Sequence, residues 1–181
     1  MKFFIFSDLH GSKSGLQKAM RAIENEQPDV LVFLGDTLHG AYDADVSFCM
    51  EFFCKNCGRI LAVRGNCDDS CDLSPAGIEL PLRRGLDFAG HRVHLTHRPD
   101  VFSFPPGDVV FNGHTHCKCL YSDVGTIRCN PGSVSVPRDD GPGYAVMDET
   151  GIYLKNLNSF ETLEFIGFLS LIHISEPTRP Y

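Results

Sequence analysis

No secretory leader is expected in the 181-residue sequence: Met1-Lys2 runs into Phe3-Phe4-Ile5-Phe6, too short for a leader core, and Asp8 follows at once. It lacks a membrane-length apolar run, since Phe165 to Ile174 falls well short of the ~20 residues a span needs. Cations are in deficit, with 16 Lys and Arg against 23 Asp and Glu and a formal net charge of -7. That balance disfavours a broad nucleic-acid footprint, which needs clustered cations. Phosphate chemistry stays open, because bound metal ions supply positive charge locally. The expected location is the cytoplasm, with neither a membrane nor a stable nucleic-acid partner.

Regular cysteine spacing is missing as well. Cys54-x-x-Cys57 has the form of half a zinc ribbon, but Cys67-x-x-x-Cys71 and Cys117-x-Cys119 do not complete it. Disulfides are not expected in a chain without a leader. The eight cysteines are therefore predicted to be free, mostly buried thiols.

What is present is an ordinary globular composition, 43% hydrophobic and 22% charged, long enough for a real core. Lys2 to Ser7 predicts a buried strand that delivers Asp8. Ser12 or Ser14 can cap a helix through about Glu26, with Leu16, Ala19, Met20 and Ile23 on one face, and Pro28 stops it. Val30 to Leu34 predicts a second strand ending at Gly35-Asp36. A second helix is expected from Ala44 to Lys55, and a third strand from Arg59 to Val63 ends at Gly65-Asn66. This βαβαβ order implies a parallel sheet. Further on, short strands are expected near Gly77 to Leu80, Arg92 to Thr96, Val109 to Phe111, Cys119 to Tyr121, Gly125 to Cys129, Tyr144 to Asp148 and Ile152 to Asn156. An α/β half followed by a β-rich half, with no linker and no repeat, suggests two sheets packed in one domain. From about Leu169 the segment LSLIHISEPTRPY fits neither strand nor helix and resembles a translated sequencing adapter. The domain is expected over 1–168, with 169–181 a non-native or disordered tail and His173 assigned no function.

The chemistry gathers behind the apolar runs. Asp8-x-His10 follows the first, Asp36 the second and Asn66-Cys67-Asp68 the third; Thr96-His97 and Gly113-His114-Thr115-His116 follow two later ones. Sites in open parallel sheets form outside the carboxyl ends of strands, so these groups should converge. Each piece alone is common, and Gly-Asp or Gly-Asn is by default an ordinary turn. All five in order have no packing explanation. The donor types suit manganese, iron or zinc. Two metals about 3.5–4 Å apart need a bridging carboxylate; Asp36, alone after its strand, is the natural candidate. The glycines at 35, 65 and 113 would let backbone approach the ions closely. His39 is expected to support its loop rather than ligate, His91 and His94 to be structural, and Asp68 to orient a histidine or stabilise its own turn.

This ordered set, from residue 2 to roughly 156 and including Asn130-Pro131-Gly132-Ser133, resembles the calcineurin-like metallophosphoesterase superfamily, and within it the small YfcE-type phosphodiesterases of bacteria and archaea. The resemblance implies an α/β/β/α sandwich, two packed β-sheets flanked by helices. It implies that Asp8, His10 and His116 hold one metal, that Asn66, His97 and His114 hold the second, and that Asp36 bridges. It further implies that Asn66 touches a phosphate oxygen, and that a metal-bridging hydroxide attacks the phosphorus of a small phosphodiester in line. Manganese is the expected cofactor, with Zn, Fe, Ni or Mg as substitutes. Cys67 stands where many superfamily members have a histidine that helps the leaving group, so weak activity on monoesters is expected. Arg98 can bind the substrate phosphate bidentately, or point at solvent. The rival functions are a protein-interaction scaffold like the retromer subunit of this fold, and a phosphomonoesterase. Whether copies of the chain associate is left open.

Overall fold

The computed structural model describes residues 1–168; the expected tail, 169–181, lies outside the described residues. Strand β1 (Phe3–Phe6) is buried throughout and leads to α1 (Lys13–Glu26). The cap is Ser12, whose side chain accepts from the Gly15 amide at 3.0 Å. Gln27 ends the helix in a left-handed conformation (φ 51) just before Pro28. After β2 (Val30–Phe33), Asp45 caps α2 (Val46–Asn56) by accepting from the Phe48 amide at 3.0 Å, which starts that helix two residues later than the sequence suggested. β3 (Ile60–Ala62) completes the βαβαβ unit.

The remaining strands are β4 (Arg83–Phe88), β5 (His91–Thr96), β6 (Val109–Phe111), β7 (Lys118–Asp123), β8 (Thr126–Pro131), β9 (Gly143–Asp148), β10 (Gly151–Asn156) and β11 (Thr162–Gly167). They build two mixed sheets, ordered β11-β10-β9-β1-β2-β3 and β4-β5-β6-β8-β7. The two sheets do not divide the chain at its midpoint. β9 returns to pair antiparallel with β1, with Phe3 opposite Met147 and Ile5 opposite Ala145.

Two expectations fail. Gly77 to Leu80 forms no strand: Gly77 is left-handed (φ 70) and Pro81 follows, so the segment runs as irregular chain with Ile78 and Leu80 buried. β4 and β11, by contrast, were not predicted. β4 is a largely exposed edge strand rich in charge, and Ala89-Gly90, both at positive φ (50 and 81), turn it tightly into β5.

The core has two layers. Phe4, Phe6, Leu31 and Phe33 face α1 and α2. Their alternates Phe3, Ile5, Val32 and Leu34 face the second sheet through Val93, Leu95, Val109 and Phe111. Burial on both faces is why β1 and β2 read as unbroken apolar runs. Phe33 is fully buried, so its truncation to alanine should cost about 3–5 kcal/mol. Both described α-helices cover the first sheet. Over the outer face of the second, the Phe104 ring lies 5.1 Å from His94 and under Arg128. Among the described residues no helix is long and apolar enough to cross a membrane.

Candidate metal centre

The parallel strands of both sheets end at one edge, and all seven predicted donors meet there. Asp8, His10, Asp36 and His116 are buried, and each offers a ligand atom within 4.8 Å of the others. His10 Nε2 lies 3.2 Å from His116 Nε2, and His116 Nε2 lies 3.3 Å from Asp8 Oδ1. Beside them, Asn66 Oδ1 sits 3.0 Å from His97 Nε2 and 2.6 Å from His114 Nδ1. Asp36 Oδ2 stands between the groups, 3.7 Å from His10 Nε2 and 3.5 Å from His97 Nε2.

Histidine tautomers are set by backbone carbonyls. Nδ1 of His10, His97 and His116 approaches the carbonyl oxygens of His39, Leu34 and Val136 at 2.8, 2.8 and 2.7 Å. A carbonyl only accepts, so each Nδ1 carries a proton and each ring turns its Nε2 inward. Inside the cluster, imidazole Nε2 atoms, carboxylate oxygens and the Asn66 amide oxygen face one another at close range, with the backbone amides of His114 and Cys67 donating to Asp8 and Asp36. Such an arrangement fits divalent cations, whose ligands are deprotonated N and O atoms.

The backbone is bent to make it. Nine non-glycine residues have positive φ among the described residues, and five of them are Asp8, His10, Asp36, His114 and His116. Conformations of this kind cost on the order of 1–3 kcal/mol each and gather at functional sites. Two glycines allow the loops to close on the carboxylates. A Cβ on Gly65 would lie 2.1 Å from Asp36 Oδ1, and one on Gly113 would lie 2.8 Å from Asp8 Oδ2.

Comparison with known proteins agrees with this geometry. The calcineurin-like phosphoesterase superfamily domain matches residues 1–151. The chain belongs to that superfamily. With it comes membership of the phosphoric ester hydrolases. Among curated proteins, phosphodiesterase YfcE of Escherichia coli K12 is 30% identical over 172 residues, covering 87% of this chain and 93% of YfcE. The solved structure of E. coli YfcE superposes with a TM-score of 0.85 at 25% identity, covering 92% of this chain and 99% of that one. An archaeal phosphodiesterase (TM-score 0.66, 20% identity, 93% and 100% covered) and a zinc complex of Vps29 from Entamoeba histolytica (TM-score 0.61, 16% identity, 92% and 99% covered) share the fold.

This superfamily member supports its donors with residues whose purpose was hidden in the sequence. Asp68 orients no histidine; its carboxylate accepts from the amides of Asp36, Thr37 and Gly65 at 2.9, 2.6 and 2.7 Å, tying the second loop to the third. Ser133 and Ser135 donate to the Asp8 carbonyl at 2.7 and 2.9 Å, and Asn130 donates to the Gly113 carbonyl and to Thr115. Two sequence signals pointed to these supports: the Asn130-to-Ser133 motif, and Asp68, whose bond from the Gly65 amide stabilises its own turn as one of the two expectations for it had it. His39 acts through its backbone carbonyl. His94 pairs with Asp108 at 2.6 Å, and His91 reaches the Gly107 carbonyl, both away from the site.

Electrostatics follows the same lines. Burial alone would raise the Asp8 carboxyl, but the bond to His116 and the charge of His97 outweigh it and hold it below the usual carboxylate value. That bond to Asp8 raises His116. Burial lowers His114, helped by the positive fields of His97 and Arg98, so its ring is available as a neutral ligand. Partial burial, then the Asp36 charge, pushes the Cys67 thiol up to about 11. Arg98 is exposed and forks onto Asp100 at 2.7 and 3.3 Å.

The thiols correct one expectation. All eight cysteines are free, but only Cys49 and Cys129 are buried. Cys54 and Cys57 sit at the outer end of α2, and Cys67 and Cys71 in the loop after β3, where no core reaches them. The one metal-capable cluster among the described residues contains no cysteine.

Proposed function

We propose that the chain is a dinuclear, manganese-dependent phosphodiesterase acting on small phosphodiesters. The observation carrying this reading is Asp36 Oδ2 standing 3.7 Å from one histidine group and 3.5 Å from the other. Asp8, His10 and His116 would hold one cation, Asn66, His97 and His114 the other, with Asp36 shared. When bound, such a pair supplies an activated water for in-line attack at phosphorus and offsets the charge growing on the phosphoryl oxygens. YfcE's phosphodiesterase activity supports the reaction class.

The chain's own residues do the positioning. Asn66 is exposed at the mouth, and its Nδ2 donates only to Cys67 Sγ at 3.3 Å, so that amide can turn to a phosphate oxygen. Arg98 stands at the rim and would have to leave Asp100 to do the same. Cys67, held as a neutral thiol, offers little charge to a departing alkoxide, which favours diesters with good leaving groups over monoesters.

The test is hydrolysis of bis(p-nitrophenyl) phosphate by metal-stripped protein with manganese added back, beside Asp36→Ala. Manganese-dependent turnover that disappears in the variant is expected. A folded protein that turns over no diester with Mn, Zn, Fe, Ni or Mg would overturn the reading and favour the scaffold.

A further inference from the structure

The second half of the metal centre opens sideways into a cavity of about 350 Å³. Its inner wall is Asn66 and His97, both placed among the donors. Its outer wall is apolar, made by Leu82, Val101 and Phe102. Leu82 and Val101 are 56% and 58% exposed, unusually open for side chains of this size. The wall is nonetheless built. Thr96 Oγ1 donates to the Leu82 carbonyl at 3.2 Å, and the Arg64 amide to the Pro81 carbonyl at 2.9 Å. The Arg83 guanidinium lies over the Phe102 ring at 5.1 Å and holds it in place. Arg64 and Arg98 add cationic charge around the opening.

We infer that this cavity binds the organic group of one ester arm, and that the preferred substrate is a phosphodiester carrying an aromatic or otherwise bulky apolar alcohol. The inference rests on the phosphodiesterase reading of the site. Ligand pockets are mostly apolar with a few placed polar groups, and this one has that division, with the polar groups at the phosphate end. An apolar cavity of about 150 Å³ takes up benzene, so there is room here for a substituted ring. A diester with two small alkyl arms would leave the apolar wall in water and gain nothing from it. The apolar side is continuous with the donor wall, so an ester arm of a phosphate held at the centre can reach it.

The experiment compares phenyl p-nitrophenyl phosphate with methyl p-nitrophenyl phosphate, which share a leaving group and differ in the other arm. The phenyl ester should show a kcat/KM roughly tenfold higher or more, carried by KM. Phe102→Ala should erase most of that advantage. Val101→Ser, on the open rim, should do likewise and stands in if Phe102→Ala does not fold. Calorimetry on the manganese-loaded protein gives a readout free of turnover: phenylphosphonate should bind more tightly than methylphosphonate, and the variants should remove the difference. Equal rates for the two esters, or equal affinities for the two phosphonates, would overturn the pocket while leaving the phosphodiesterase intact. Turnover of neither ester, with phenylphosphonate still preferred, would keep the pocket and remove the proposed reaction.

Discussion

Two buried charged clusters lie in this fold, and they are built on opposite principles. On the helix-covered face of the first sheet, Glu26 is ringed by Lys2 at 2.7 Å, by Tyr144 at 2.9 Å and by Lys155. Every acceptor there meets a donor, on regular helix and strand backbone. At the carboxyl edge, potential ligand atoms crowd together, five residues sit at positive φ, and among the described residues the flanking Thr37 hydroxyl is buried without a partner. A matched cluster completes a structure. An unmatched one, held on strained loops, is the kind of site a cation would complete.

The comparison breaks most visibly at Asp36. Asp36→Ala should lower kcat/KM for a diester by at least about a thousandfold, and metal analysis of the purified variant should find fewer than two cations per chain. Glu26→Gln should do the reverse, sparing kcat while costing about 3 kcal/mol in denaturant unfolding, because two lysines lose their partner. Its pH dependence has a definite sign. Burial raises the Glu26 carboxyl, but the bonds from Lys155, Lys2 and Tyr144 prevail and lower it from its ordinary 4.5. Its contribution is thus present above 4.5 and lost as pH falls through the lowered value, so the acid arm of the stability profile should be shallower in Glu26→Gln than in the wild type. A variant with an unchanged acid arm would show that the cluster does not hold Glu26 ionised.

Ser133→Ala sharpens the contrast, since it removes a support and no donor. Manganese affinity should fall by roughly 10-fold to 100-fold, as for other groups that orient ligands, with a modest fall in the melting temperature of the metal-free protein as the Ser135 and Val136 amides lose an acceptor. The smallest effect is expected from Cys67→His, a gain of a few-fold in monoesterase activity once an imidazole can protonate the leaving group. No gain would mean that Cys67 does not set the preference for diesters.

The convergence of the candidate donors was legible because β1, β2, β3 and β6 are apolar runs that stop at a polar residue, β5 alternates Val93 and Leu95 with polar residues, and parallel strands gather such stops at one edge. β4 and β11 were not, because edge strands carry charge and exposed side chains that erase alternation. Gly77 to Leu80 misled for the opposite reason: Ile78 and Leu80 are buried at strand spacing, yet Gly77 and Pro81 deny the segment a ladder. Asp68 and Ser133 act across separations of 32 and 125 residues, and no local pattern contains such pairings.

The return of β9 to β1 also shapes how the chain comes into being. β1 leaves the ribosome with one of its two sheet neighbours still some 140 positions away. Until Gly143–Asp148 is synthesised, that side of β1 is an open ladder of Phe and Ile. Asp8, which ends β1, gains its Ser133 and Ser135 bonds only over a similar distance. Closing such separations is slow, because the entropy of the loop is lost before the contacts form. The edge that carries these groups should therefore assemble late, which pulse-labelling hydrogen exchange during refolding would check.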